Sequence, residues 1–186
     1  GFIPWDDDMD ISMFDEDYKK LEKILVRMDD EDYFYQCIKS DPEHVNVFGK
    51  FRKKNDPVFA ADQRSKYFKY QGVGLDVFSL EKSNRFAAHM AKFLYQNLIH
   101  PTQYIKNRFW RHFAIKSVQL LNFGLLIPLC RLIGHINHKG QYRYKLGSGF
   151  YQCGFSAEDI LPLRTMEFEG IEFPVPGNTD AYLTKI

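Results

Sequence analysis

Apolar and polar residues follow two different periods along the first half of the chain. MDISMF (9–14) has the two-residue alternation of a β-strand, and residues 15–28 carry apolar side chains at helical spacing. Asp15 is expected to cap that helix. Further strands are predicted at 33–38, 45–52, 67–70 and 72–80.

The second half of the chain has a mostly helical pattern. It extends from about residue 83 to 137, with breaks expected near Pro101 and Pro128. The tail contains a predicted hairpin, MEF-EG-IEF, and a final helix that starts near Asn178. Because strands come first and helices follow, the pattern indicates an α+β fold. A chain of 186 residues is expected to form one domain.

Composition narrows the class of protein. Apolar residues make up 45% of the chain, which argues against disorder. Lys and Arg number 25 against 24 Asp and Glu, so a nucleic-acid partner is not indicated. Three cysteines without a CxxC pair predict a reducing, cytoplasmic location. The apolar stretch 118–130 is interrupted by a proline and is expected to be too short to span a bilayer.

Four aspartates stand within five positions near the start of the chain: Asp6, Asp7, Asp8 and Asp10. On a strand, Asp6, Asp8 and Asp10 would project from one face. Carboxylates held that close repel one another unless protons or a cation relieve the repulsion, and Mg²⁺ prefers oxygen ligands. A solvated acidic loop is the alternative interpretation.

A lone carboxylate, Asp76, interrupts the apolar strand GVGLDVFSL. Burying it is costly unless it is paired or bound to a metal. If this strand neighbours the first one, Asp76 completes a three-carboxylate site with Asp8 and Asp10. The alternative is a strand-end residue that pairs with a nearby Lys or Arg.

These motifs resemble the LicD family, which includes fukutin and the fukutin-related protein. The opening GFIPWDDDMDI is the most specific match. The remaining matches follow in the family's order and are FGKFR (48–52), GLDVF (74–78), ILPLR (160–164), FEGIEFPVP (168–176) and DAYL (180–183).

The resemblance implies a nucleotidyltransferase-like mixed sheet with flanking helices and a set of catalytic carboxylates. Asp8 and Asp10 would be the principal metal ligands, Asp76 the third carboxylate, and Asp6 an accessory ligand or an outer-shell group. Mg²⁺ is the expected cofactor, with Mn²⁺ as the alternative.

The family moves a phospho-alcohol from a CDP-linked donor to a sugar hydroxyl. Phosphocholine is the default donor group here, and a cell-surface glycan (lipopolysaccharide, teichoic acid or capsule) is the expected acceptor. Lys50 and Arg52 lie two residues apart on a predicted strand and would hold the donor phosphates; a solvated strand edge is the alternative for them. Arg164 is a candidate for the same role.

The match also departs from the family at both ends. A Gly-rich turn is expected upstream of the opening motif and a further segment after the last helix, and neither is in this sequence. The expectation is therefore a single, N-terminally truncated domain over 1–186. A catalytically inactive module with a structural or interaction role is the rival interpretation.

Aromatic and basic residues mix in the stretch 108–132, which is expected to form a basic amphipathic helix. They are Phe109, Trp110 and Phe113, with Arg108, Arg111 and Lys116. Peripheral contact with the inner face of an anionic membrane would suit a lipid-linked acceptor. Ordinary core packing of the aromatics is the favoured alternative.

Overall fold

The structure is a computed structural model that describes residues 9–57, 65–136, 138–148 and 153–186. The strands are β1 (Met9–Phe14), β2 (Tyr33–Gln36), β3 (Gly49–Pro57), β4 (Gly72–Lys82), β5 (Tyr142–Tyr144), β6 (Arg164–Phe168) and β7 (Ile171–Val175). The α-helices are α1 (Asp15–Leu25), α2 (Arg85–Leu94), α3 (Arg108–Leu121), α4 (Ile127–His135), α5 (Ala157–Ile160) and α6 (Thr179–Lys185). Segments Tyr95–Ile99 and Asn122–Leu126 are π-helical, and Ser65–Tyr67 and His100–Tyr104 are 3₁₀ turns.

The larger sheet has the strand order β1-β4-β3-β2, and β5 pairs with the end of β4. β1 runs parallel to β4, whereas β3 is antiparallel to both of its neighbours. β6 and β7 form a separate hairpin. The α+β class, with a mixed sheet and flanking helices, is therefore confirmed.

Helix α1 covers one face of the larger sheet. Tyr18 on this helix is buried against Tyr35, Cys37 and Val77, and the Tyr35 hydroxyl donates to the Tyr18 hydroxyl at 3.2 Å. The helix is amphipathic, so this contact buries its apolar side and leaves its charged side in water.

The opposite face of the sheet carries an aromatic cluster. Phe48, Phe78, Tyr144 and Phe155 form its buried centre, and Phe155 stacks on Tyr182 of α6 with ring centroids 4.3 Å apart. Side chains two positions apart on a strand share a face, so the side chain next to Phe78 on this face of β4 is Asp76. The cluster therefore borders the candidate carboxylate.

A helical layer formed by α2, α3 and α4 completes the domain. α3, the second π-helical segment and α4 form one continuous helix, Arg108–His135. Ala87, Ala88 and Ala91 pack α2 against α4. Arg111 attaches α3 to the rest of the domain through Glu43, with Nε–Oε2 and Nη2–Oε1 distances of 2.8 Å.

Two predicted features are wrong. The predicted strand at 67–70 begins inside the 3₁₀ turn Ser65–Tyr67 and is not in a sheet. Pro128 does not break the helix. It lies in the first turn of α4, directly after the π-helical segment, whose wider turn relieves the clash between a proline ring and the carbonyl group four residues earlier.

At the chain's early helix, Asp15 is not the cap. Phe14 occupies the cap position without a side-chain hydrogen bond, and Asp15 is the first helical residue. Its carboxylate accepts a hydrogen bond from Ser79 of the neighbouring strand at 3.0 Å instead. A tertiary partner therefore replaces the expected local one.

The predicted C-terminal elements are confirmed. Glu169 and Gly170 join β6 to β7 with φ values of 50° and 77°, as a two-residue type I′ hairpin turn requires. Asn178 caps α6, because its Oδ1 accepts the Ala181 N–H at 3.1 Å.

Candidate functional site

A row of polar side chains crosses the larger sheet. Asp10 on β1 is the register partner of Asp76 on β4, Asp76 is the partner of Lys50 on β3, and Lys50 is the partner of Gln36 on β2. Directly paired residues point to the same face of a sheet. The fold thus brings two of the predicted carboxylates and one predicted cation together, and we call these four residues the carboxylate row.

Asp76 is mostly buried in the middle of β4 and forms an ion pair. The Lys50 Nζ lies 2.8 Å from the Asp76 Oδ1, and both side chains are largely shielded from solvent. Asp76 thus pairs with a nearby lysine, as the alternative interpretation of the sequence predicted, although it is not at a strand end.

The ion pair leaves Asp76 incompletely compensated. Its Oδ1 is buried, and the Lys50 ammonium group is the partner that the described part of the chain places against this oxygen. Burial raises the pKa of Asp76, and the charges of Lys50 and Arg52 only partly oppose it. An oxygen in this state suits a cation ligand.

Gly74 makes room for the two cations on this face. It is the register partner of Arg52, and a Cβ on it would lie 2.7 Å from the Lys50 Cγ and 3.3 Å from the Arg52 Cγ. Lys50 and Arg52 therefore lean over the backbone of β4. Because β3 is an inner strand, the interpretation of these residues as a solvated strand edge is wrong.

Arg52 is held in place by the protein itself. Its Nε donates to the Gln36 Oε1 at 2.6 Å and its Nη1 to the Gly72 carbonyl at 2.7 Å. Gln36 is in turn fixed by the buried Asp41, whose Oδ2 accepts from the Gln36 Nε2 at 2.7 Å. The guanidinium group is thus a fixed cation close enough to affect Asp76.

The remaining predicted site residues are not in this row. Asp6 and Asp8 lie outside the described residues. Arg164 is exposed on the separate hairpin, where its Nη2 donates to the Thr179 Oγ1 at 3.0 Å. Within the described ranges, no group of three or more His, Cys, Asp or Glu side chains is close enough to hold a metal ion.

Asp15, the first residue of α1, shows by contrast a carboxylate whose neighbours outweigh its burial. Burial raises its pKa, but Lys19, Lys145 and Ser79 together outweigh burial and hold the pKa below its ordinary value. Lys145 lies 3.4 Å from the Asp15 Oδ1 and also stands over the Tyr18 ring. Sequence analysis missed this cluster, because its members are far apart in the chain.

Comparisons of the chain with protein families, with curated proteins and with solved structures found no match. The sequence motifs and the geometry of the carboxylate row therefore carry the functional proposal.

The long helix corrects two expectations about the stretch 108–132. Phe109, Trp110 and Phe113 are exposed, so core packing is the wrong interpretation for them. Arg111 is 1% exposed and pairs with Glu43, so it is not part of a basic surface.

The continuous helix Arg108–His135 is also longer than the 13-residue apolar stretch alone suggested. Its most apolar 18-residue window has a mean hydropathy of 1.6, and 28% of that window is buried. By length and composition it could cross a membrane, a test that the core helices of many soluble proteins also pass.

Proposed function

We propose that this chain is a metal-dependent phosphotransferase of the LicD type. It would move a phospho-alcohol, with phosphocholine as the default, from a CDP-linked donor to a hydroxyl group of a cell-surface glycan. The observation that carries this proposal is the pairing of Asp10 with Asp76 on adjacent parallel strands. The opening motif of the sequence supports it.

Asp76 and its neighbours fit a hard divalent cation. Asp8, Asp10 and Asp76 would hold Mg²⁺ or Mn²⁺, with Asp6 as an accessory ligand, because carboxylate oxygens are the ligands these ions prefer. The buried Asp76 carboxylate, whose desolvation is only partly offset by Lys50 and Arg52, supports this assignment. A bound Mg²⁺ would neutralise the diphosphate and stabilise the departing CMP.

The cations beside the carboxylates have a separate role in this proposal. Lys50 and Arg52 would position the negatively charged donor, and the fixed guanidinium of Arg52 would do so without being reoriented. Asp76 would act on the acceptor hydroxyl, either as a metal ligand or by accepting its proton. Arg164 would contact the phosphates from another part of the chain.

The second candidate is a catalytically inactive family member that acts as a structural or interaction module. The Lys50–Asp76 ion pair favours it, because an ammonium group occupies the position where a cation would otherwise compensate the carboxylate. In this case the carboxylate row would bind neither metal nor nucleotide.

A thermal-shift titration distinguishes the two candidates. The chain is heated with and without Mg²⁺, each time alone and with CDP-choline, CDP-ribitol or CMP. A ligand that binds only the folded state at about 100 times its Kd stabilises that state by about 2.7 kcal/mol. We expect one CDP-alcohol to raise the melting temperature, and only in the presence of Mg²⁺.

Two variants provide the controls. Asp10→Asn removes a proposed ligand and should abolish the shift. Asp17→Asn removes an exposed carboxylate of α1 that contacts only Lys20 in the described part of the chain, and it should leave the shift intact. If no nucleotide shifts a cooperative melting transition, the inactive module is the correct assignment.

A further inference from the structure

We propose that the helical layer docks on an anionic lipid surface, with the helix Arg108–His135 lying in the plane of the headgroups. The docking side is formed by exposed apolar residues of α2 and of the long helix, which we call the apolar face. It consists of Phe86, Met90, Phe93, Phe109, Trp110, Phe113, Leu120, Leu121, Leu125, Leu129, Leu132 and Ile136. This inference does not rest on the proposed transferase activity.

The apolar face runs along the whole length of the long helix. Most of its members recur every three or four residues, the spacing of one helix side, with Lys116 and Ser117 exposed between Phe113 and Leu120. Leu120 is 77% exposed, Phe109 69% and Leu132 67%, although these side chains are among the most apolar in the chain. Single exposed apolar residues are normal on a protein surface, but so many along one helix of about 42 Å mark an interaction surface.

Helix α2 carries a second row of exposed apolar residues. Phe86, Met90 and Phe93 follow the same helical spacing and, with His89, line a shallow cavity of about 320 Å³. Because the small residues Ala87, Ala88 and Ala91 bring α2 close to α4, the exposed rows belong to neighbouring helices.

The charge around the apolar face favours an anionic partner. Residues 82–157 contain eleven Lys and Arg and not one Asp or Glu. Arg111, Arg131 and Lys145 pair with acids from outside this segment. Arg143 is buried. The other seven are Lys82, Arg85, Lys92, Lys106, Arg108, Lys116 and Lys139.

Basic residues beside exposed aromatic and aliphatic side chains are the composition of an interfacial helix on anionic lipids. A second copy of this chain fits the face less well. Two identical faces would bring together the same cations, which form no ion pair among the described residues, and like charges across an interface oppose association.

The buried side of the long helix decides how it meets the lipid. Arg111, Ile115, Gln119, Ile127 and Cys130 are buried along nearly its full length. The domain is thus attached to the helix from one end to the other. A helix that crossed the bilayer would carry the bound domain, including the Arg111–Glu43 pair, into hydrocarbon, where charged groups are costly. The helix therefore lies along the surface.

Vesicle co-sedimentation tests the proposal without Mg²⁺ or nucleotide, so its result is separate from that of the transferase test. We expect the chain to bind vesicles of phosphatidylcholine with phosphatidylglycerol. Vesicles of phosphatidylcholine alone should bind it at least about tenfold more weakly, and 0.5 M salt should weaken binding to the anionic vesicles. Equal binding to both vesicle types with no effect of salt would overturn the proposal.

Two triple variants test whether vesicle binding depends on the apolar face or on exposed apolar residues anywhere on the protein. The triple variant Phe109→Ser, Trp110→Ser and Phe113→Ser should lose at least about tenfold in vesicle affinity. The matched control is Ile24→Ser, Ile171→Ser and Leu183→Ser, three similarly exposed residues elsewhere, which should bind like the unmodified chain. Equal loss in both triple variants would contradict a specific face.

Charge reversal tests the electrostatic half of the proposal. Lys106→Glu, Arg108→Glu and Lys116→Glu together should weaken binding to anionic vesicles at least about tenfold. The same reversal at Lys20 and Lys23 on α1 and at Arg27 just after it should have little effect. If instead the chain forms dimers without lipid, and the triple serine variant abolishes them, the face is a self-association surface and the lipid proposal is wrong.

Depth and orientation can be read from Trp110. In a Trp5→Phe background it is the only tryptophan in the sequence. We expect lipids brominated near the headgroup to quench its fluorescence more than lipids brominated near the chain ends. Stronger quenching by the deep label would contradict the surface orientation.

Discussion

The larger sheet shields charged side chains from solvent, whereas the helical layer exposes large apolar ones. On the sheet, charged groups are largely shielded from solvent and contact polar or oppositely charged neighbours, as in the Lys50–Asp76 pair and in the hydrogen bonds of Arg52. On the helical layer, large apolar side chains such as Leu120 face solvent. Burial of a polar group and exposure of a large apolar patch are the two observations that depart from ordinary folding, so each region points to a site.

Ion pairs also connect the segment 82–157 to the rest of the chain. The segment 82–157 has no acid, yet three of its cations meet acids that lie outside it: Arg111 meets Glu43, Arg131 meets Glu81 and Lys145 meets Asp15. Two of these pairs, those of Arg111 and Arg131, balance charge where the helical layer meets the rest of the domain. Among the described residues, the exposed cations of the layer such as Arg108 and Lys116 form no ion pair with an acid.

The largest effect is expected from removing the buried link between the regions. Arg111→Met should lower the free energy of unfolding by about 3–5 kcal/mol, because it leaves the Glu43 carboxylate buried without its bidentate partner. Urea denaturation followed by circular dichroism measures this loss. Arg108→Met, on the exposed side of the same helix, should change stability by no more than about 0.5 kcal/mol.

The double variant makes this test stricter. Arg111→Met with Glu43→Leu should recover much of the lost stability, since neither charge is then buried alone. A double variant as unstable as the single one would show that the helix is held by the shape of Arg111 and its contact with Tyr67 rather than by the ion pair.

A smaller effect is expected in the carboxylate row. Lys50→Met should cost about 1–3 kcal/mol at neutral pH, because the mostly buried Asp76 loses its closest cation. Burial already holds the pKa of Asp76 above its ordinary value, and losing Lys50 raises it further. A carboxyl with a raised pKa in the folded state takes up a proton more readily when folded.

The sign of the pH dependence follows from that proton uptake. The stability lost in Lys50→Met should return as pH falls from neutral toward the ordinary carboxyl pKa of about 4. Melting temperatures of the variant and the unmodified chain between pH 7.5 and pH 4.5 measure this. Adding Asp76→Asn should remove this pH-dependent difference, and a loss independent of pH would mean that the ion pair is not its cause.

Substitutions at two glycines should have effects of opposite sign in the two regions. Gly74→Ala should destabilise the sheet by about 1–3 kcal/mol, because the new Cβ displaces the Lys50 side chain that leans over it. Gly124→Ala, on the exposed side of the long helix, meets only the Leu120 Cδ1 at 4.0 Å. It should stabilise the chain by up to about 1 kcal/mol. Thermal denaturation of both variants checks the opposite signs.

Local pattern was enough to predict several elements. The alternation in 9–14 predicted β1, the Glu169–Gly170 pair predicted the hairpin turn, and Asn178 predicted the start of α6. These depend on backbone preferences and on side chains within a few residues, which a sequence displays directly.

Predictions about residues whose partners lie far away in the sequence were wrong in two cases. Asp15 was expected to cap α1 but binds Ser79, which is 64 residues away. Arg111 was grouped with the surface cations but pairs with Glu43, which is 68 residues away. Spacing along the chain does not show which distant groups meet, so the difference between a buried and an exposed arginine on one helix could not be predicted.

The sequence by itself determined the α+β class, the carboxylates at Asp10 and Asp76 and the basic, apolar character of the long helix. Only the tertiary structure decided that β4 lies beside β1, so that Asp10 and Asp76 are paired, and that Lys50 compensates Asp76. It also decided that Phe109, Trp110 and Phe113 face solvent. The physical reason is that residue type sets what a side chain can do, whereas strand pairing and helix packing set which partner or solvent it meets.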